Sequence, residues 1–307
     1  MPKELPIPET DRTEPAPPDG LAEALSPGQP WPAPSPEKPP MPRLPHAPRS
    51  IHELNNLPEE WKEALCRILI PSTLLIRYGI HPIKLTNRAG QRLVTFHYEP
   101  GSFALGLSVR HQPDAEDPLY QLELQENSLG QTVVAFMSTN NPDGQRFNVD
   151  RDEEGQPTLL GTARRHLAEE VRALHAGLAP GQVREGLRLL SQVMPRMEAF
   201  LIVLGQDSVI VEPLAYHNAI LFERHGFTYT QGQRTMEWIH QAFQPGGELA
   251  ARLDGSTPFR QPEAAHSVRG RSWAIHDGIL GRAWDGVKML RRLAPPAGVD
   301  TAPGLPW

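Results

Sequence analysis

Tyr120-Gln121-Leu122-Glu123-Leu124-Gln125, followed by Asn127-Ser128-Leu129-Gly130 and then Thr132-Val133-Val134-Ala135-Phe136-Met137-Ser138-Thr139, is the stretch that decides the fold. Tyr120, Leu122 and Leu124 alternate with polar neighbours, the period of two of a strand with one buried face. The Asn-x-x-Gly link is too short for anything except an antiparallel return to a second strand. Upstream, Phe103, Leu105, Leu107 and Val109 alternate with Ser102, Ala104, Gly106 and Ser108, which predicts a strand over 102–110. Downstream, Asn141-Pro142-Asp143-Gly144 turns again, and 146–150 reads as a further strand. The first half is thus an antiparallel meander. A helix precedes it, opening at Pro58-Glu59-Glu60, where a first-turn proline and two acids suit the positive end of the helix dipole.

Beyond Thr158 the period changes. Ala163, Leu167, Val171, Leu174 and Leu178 recur at three and four, predicting a helix that Gly177 ends. A second helix is expected to open near Pro180 and to bury Val183, Leu187, Leu190 and Met194. The apolar run from Ala199 to Leu204, closed by Gly205, reads as a strand buried on both faces, and Ser208 to Val211 as another. A helix from Leu214 to His225 is stopped by Gly226, and Phe227 to Thr230 returns to strand. This order predicts the α+β class, with a mixed, largely antiparallel sheet flanked by helices.

The chain has 307 residues with 34 Pro and 25 Gly, and sixteen of the prolines fall between Pro2 and Pro48. Residues 1–49 therefore read as a disordered Pro-rich tail, with too few large apolar side chains to offset the entropy of ordering. Such a tail can present short motifs to a partner domain. Residues 295–307, with Pro295, Pro296, Pro303 and Pro306, read as a second disordered tail. Between them lie an α+β domain over 50–230 and an extension over 231–294 packed on it. No apolar run is long enough for a membrane helix and prolines occupy the start, so a cytoplasmic protein without membrane contact is expected. An acid excess, 36 against 30 basic residues, argues against a broad nucleic-acid surface. The single Cys66 excludes an internal disulfide and a Cys-rich zinc site. No His-Glu-x-x-His occurs, and Glu237-Trp238-Ile239-His240 appears once where a bundle metal site needs two, so no metal is expected. Serine-hydrolase elbow, Walker loop and Rossmann glycines are all missing.

Asn218-Ala219-Ile220-Leu221-Phe222-Glu223-Arg224-His225-Gly226-Phe227 resembles the late helix and strand of the GNAT superfamily of N-acyltransferases. Glycine there accepts the left-handed conformation that stops the helix, and Phe227 starts the next strand facing the core. The resemblance spans roughly 118–230 and implies a GNAT-like fold, an acyl-CoA cosubstrate and transfer of its acyl group to a small-molecule amine. It places the pyrophosphate loop at 180–188, with Gln182, Val183, Arg184 and Gly186 as cofactor-binding residues and Asn218 on the later helix. The loop departs from the family pattern in two ways: Gln182 stands one residue too far from Gly186, and Arg188 takes the second small position. Phe222 replaces the tyrosine that in the family protonates the departing thiolate. For a base, Glu212 beside Pro213 is the candidate, with Tyr216 or His217 near it; the other reading of the three is a solvated carboxylate and a half-buried aromatic pair.

In the extension, Arg269 and Arg271 flank Gly270, followed by His276-Asp277. Paired guanidinium groups there hold a phosphate or carboxylate, with His276 beside them, or else belong to a solvated loop. A second function class stays open, a non-catalytic ligand- or partner-binding module on the same scaffold, with Phe222 and Arg188 as marks of lost chemistry.

Overall fold

The computed structural model describes residues 47–159, 161–293 and 298–307. Residues 1–46, on which nearly all of the expected proline-rich tail and its expected presentation of motifs to a partner fall, lie outside the described residues. Three short helices open the chain: α1 (Ile51–Asn55), α2 (Glu59–Cys66) and α3 (Ser72–Arg77). Ser50 caps α1 by accepting a hydrogen bond from the Glu53 amide at 3.1 Å, and Glu59 and Glu60 lie in the first turn of α2. The meander follows as β1 (Val94–Tyr98), β2 (Ala104–Val109), β3 (Tyr120–Glu126) and β4 (Thr132–Thr139). Next come α4 (Leu167–His175), α5 (Leu190–Val203), β5 (Ser208–Val211), α6 (Tyr216–Glu223), β6 (Thr228–Gln231), α7 (Gln233–Ala242), α8 (Val268–His276) and β7 (Lys288–Arg292).

All seven strands form one sheet in the order β1-β2-β3-β4-β5-β7-β6. Every neighbouring pair is antiparallel except β4 and β5, so the α+β class and the mixed, largely antiparallel sheet hold. Alternation sets the register: Leu107 faces Leu122 and Leu122 faces Met137. Asn55 of α1 is fully buried and donates to the carbonyls of Ser102 and Ala104 at 2.8 and 2.9 Å, which pins α1 to the start of β2. Among the described residues no helix is long and apolar enough to cross a membrane.

Four expectations are corrected. Ala199–Leu204 is not a strand: α5 runs through it as far as Val203, burying Leu190, Val193, Met194, Met197, Phe200 and Leu201. Read from Leu190, those residues recur at three and four, while Ile202 is exposed, so the short apolar run is the end of an amphipathic helix. Pro195 sits inside it without ending it. The helix expected from Pro180 starts only at Leu190, because the carbonyls of Val183 and Glu185 accept from the amides of Phe147 and Asn141 in the chain after β4, and Arg188 at φ 56 is not helical. Segment 146–150 joins no strand; the Phe147 amide donates to the Val183 carbonyl at 2.8 Å and the Asn148 amide to Glu169. Finally, 298–307 is ordered against the core: Thr301, Ala302 and Leu305 are buried, and the Val268 amide donates to the Pro306 carbonyl at 2.8 Å.

Two strands escaped the sequence reading. β1 carries Thr95 and His97 among its apolar residues, and β7 is Lys288-Met289-Leu290-Arg291-Arg292, whose charges mask a strand. Residues 231–294 thus contribute β7 to the sheet, between β5 and β6, in addition to packing on it. The Gly226-Phe227 junction forms as expected, with Gly226 at φ 83 and Phe227 buried, its amide bonded to the Phe222 carbonyl at 3.1 Å. Helix α4 also forms and Gly177 ends it at φ 78, but Leu167 is exposed while Glu169 and Glu170 are buried.

Candidate functional site

Parallel pairing between β4 and β5 covers only Thr132–Val134 against Val209–Val211. β5 then ends, and Pro213, which has no amide hydrogen, follows. β4 continues to Thr139. At the same point it bulges against β3, where Leu124 faces Val134 but Glu123 faces Phe136, leaving Ala135 as the extra residue. Beyond the bulge Ala135, Phe136, Met137 and Ser138 are all half-buried, and no strand lies on their free edge among the described residues.

At the far end of that edge the chain returns as the segment 182–189. The Glu185 carbonyl accepts from the Asn141 amide at 2.7 Å, and the Leu187 amide donates to Thr139 Oγ1 at 3.1 Å. Gly186 permits this approach, since a Cβ there would lie 3.1 Å from the same hydroxyl oxygen. Arg188 adopts φ 56, and its side chain is 87% exposed, so it does not plug the turn. The amides of Arg188, Leu189 and Leu190 have no acceptor among the described residues, and they stand at the N-terminus of the 14-residue α5. Arg269 adds a second guanidinium. Burial first, and then the charge of Arg188, hold it below the usual arginine range. Its Nε is buried without a hydrogen bond, it has no ion pair among the described residues, and it lies over the Trp307 ring at 5.9 Å. Glu185 pairs with Arg188 at 3.7 Å and partly offsets its charge at Arg269, so two guanidinium groups and one carboxylate leave the corner with a net positive charge.

Helices α6 and α8 meet beside Trp307. His217 Nδ1 lies 2.8 Å from Ser272 Oγ, with both side chains buried, and its ring meets Trp307 edge-on at 6.3 Å. Burial, then His276 and Arg269, push the imidazole down to about 3, so it is neutral at pH 7. One turn after Ser272, His276 Nε2 stands 3.1 Å from Glu170 Oε1, and Glu170 also holds Arg165. Burial raises the Glu170 carboxyl, but hydrogen bonds from His276 and Arg165 outweigh it and the net direction is down. Arg165 reaches on to Asp277, which also accepts from Arg260 and Thr257.

The expected site residues are only partly brought together. Gln182 Oε1 accepts from the Ala179 amide at 2.7 Å, closing its own turn; Val183 packs against Phe147 and Trp273; Arg184 donates to Asp117 at 2.8 Å. The loop therefore offers backbone, not these side chains. Asn218 is half-buried on α6 with no side-chain hydrogen bond among the described residues. Glu212 is 57% exposed and paired with Lys288 at 2.7 Å, apart from the buried Tyr216 and His217. Tyr216 meets Trp284 edge-on at 6.1 Å. Its phenol is pushed up by burial, opposed by the nearby Arg271, which is not in hydrogen-bonding geometry with the hydroxyl. Arg269 and Arg271, two apart on α8, point to different surroundings, the Arg188 corner and the Ala265 carbonyl respectively. Sequence reasoning missed Glu170 and Ser272. Reading 268–276 as a helix would have set Ser272 and His276 on one face at a spacing of four.

Among the described residues no group of three His, Cys, Asp or Glu side chains is arranged to hold a metal ion. No family model matches the chain, and neither a curated protein nor a solved structure matches it.

Proposed function

We propose that the chain is an acyl-CoA-dependent N-acyltransferase-type protein on a GNAT-like scaffold, binding the cosubstrate along the free edge of β4 and passing its acyl group to an amine. The observation that carries this is the parting of the parallel pair β4 and β5 at the Ala135 bulge, with the free amides of α5, Arg188 and Arg269 at its end. Strand-edge groups suit the amides of a pantetheine arm, and the positive corner suits a pyrophosphate. The element order supports the scaffold: meander, loop, α5, β5, then α6 with its Gly226-Phe227 junction.

In direct transfer a neutral amine attacks the thioester carbonyl, the C–N bond forms, the C–S bond breaks, and the proton lost by nitrogen ends on sulfur. His217, neutral and held near 3, is a weak base, and Glu212 is engaged by Lys288, so the amine arrives already deprotonated. The same two facts favour a second reading, a non-catalytic module that binds the carrier or a related ligand without turnover; Phe222, its ring tilted against Phe227 with centroids 5.0 Å apart, has no proton to give.

Isothermal titration with coenzyme A and acetyl coenzyme A tests the binding. Saturable heat with both supports it, and none at high micromolar concentration removes it. Free-thiol release across an amine panel then separates enzyme from module.

A further inference from the structure

Away from the β4 edge, a cavity of about 550 Å³ opens between α7, the turn Pro262–His266, α8 and residues 303–306. Its side-chain donors and acceptors come from His240, Gln241, Gln244, His266 and Arg271. Arg271 is 3% exposed. Its Nε donates to the Ala265 carbonyl at 2.7 Å, one terminal nitrogen lies 3.3 Å from His240 Nδ1, and the guanidinium sits over the Phe243 ring at 5.2 Å. No carboxylate lies within ion-pair distance of it among the described residues, although every charged group in the Glu170 network is paired.

A buried guanidinium without a counter-ion is costly unless an anion joins it. Arginine can only donate, so His240 Nδ1 is the acceptor and this imidazole is neutral. The wall therefore carries one fixed positive charge. A dianionic phosphate would overcompensate it, whereas the two oxygens of a carboxylate match the remaining fork of one guanidinium. Gln241, Gln244 and His266 leave hydroxyl-rich or amide-bearing substituents as the rest of the molecule.

We propose that this cavity is a binding site for a small polar monocarboxylate, anchored on Arg271 and read at its rim by His266 and Gln241. The inference does not depend on what occupies the β4 edge.

Titrating the full chain with sodium gluconate, against sodium chloride at matched ionic strength, provides the test, with inorganic phosphate as a second arm. Saturable gluconate binding is expected, weakened about tenfold or more in Arg271→Gln and by several-fold in His266→Ala. Melting curves check that each variant folds. If Arg271→Gln does not, His266→Ala and Gln241→Ala decide, and unchanged affinity in both overturns the site. Saturation by phosphate without a gluconate response overturns the ligand class, and linear responses to both overturn the proposal.

Discussion

Oε1 of Glu170 on α4 stands 3.1 Å from Nε2 of His276 on α8, and this contact ties two helices far apart in sequence. The Glu170 side chain is 3% exposed, and Arg165 grips its second oxygen. Because its carboxyl lies below the ordinary 4.5, the stability it contributes is present above that pH and is lost as pH falls through the lower folded value. Glu170→Gln is expected to cost about 3 kcal/mol at pH 7, since it leaves a partly buried Arg165 short of a partner. Melts of variant and parent should converge as pH falls below that lowered value.

His217 titrates with the opposite chemistry and the same direction of effect. Its folded value near 3 lies below the ordinary 6.5, so between those limits the unfolded chain binds the extra proton and stability falls as pH falls. That one group contributes a slope of about 1.4 kcal/mol per pH unit in this window. Denaturant melts from pH 4 to 6.5 should show a shallower slope for His217→Asn.

Gly270 sits inside α8, where a Cβ would come 2.6 Å from the Ala264 carbonyl oxygen. Gly270→Ala must push α8 off the turn Pro262–His266, and a loss of about 1–3 kcal/mol is expected in chemical denaturation. The glycine of Arg269-Gly270-Arg271 is thus a packing device within a helix, not the bend of a loop.

For the positive corner, Arg269→Ala is expected to weaken coenzyme A binding about tenfold, with a reduced dependence on salt. Arg184→Ala should differ in kind. Arg184 donates to Asp117, with both side chains largely buried, so its loss lowers the melting temperature while affinity in the folded protein changes little. Titration and melting of both variants separate ligand contact from loop support.

Glu212→Gln removes an exposed pair with Lys288 and should change stability by less than about 1 kcal/mol. If thiol release occurs, its rate should survive this change, because the carboxylate does not face His217 or Tyr216.

Alternation in β2, β3 and β4 and the Gly226 stop were legible because one face of each is buried and each turn has its own residue signature. The strand-like reading of Ala199–Leu204 failed because six apolar residues carry no period of their own; only the span from Leu190 does. β7 was hidden by Lys288, Arg291 and Arg292, charges that break the apolar alternation; Lys288 reaches Glu212 and Arg291 reaches Glu198. In the expected loop 180–188 the named side chains turn inward, Gln182 to the Ala179 amide and Arg184 to Asp117, while the free amides of Arg188, Leu189 and Leu190 belong to the backbone, which no residue type announces. Pairings such as Glu170 with His276 span more than a hundred residues, and no local pattern encodes them.

The seventh strand has a consequence for biogenesis. It is synthesised after every other strand yet lies second from one end of the sheet, wedged between two that the ribosome has already released. Until residues 288–292 emerge, β5 and β6 each keep a vacant hydrogen-bonding flank, so a nascent or truncated chain ending near Gln231 would be prone to self-association.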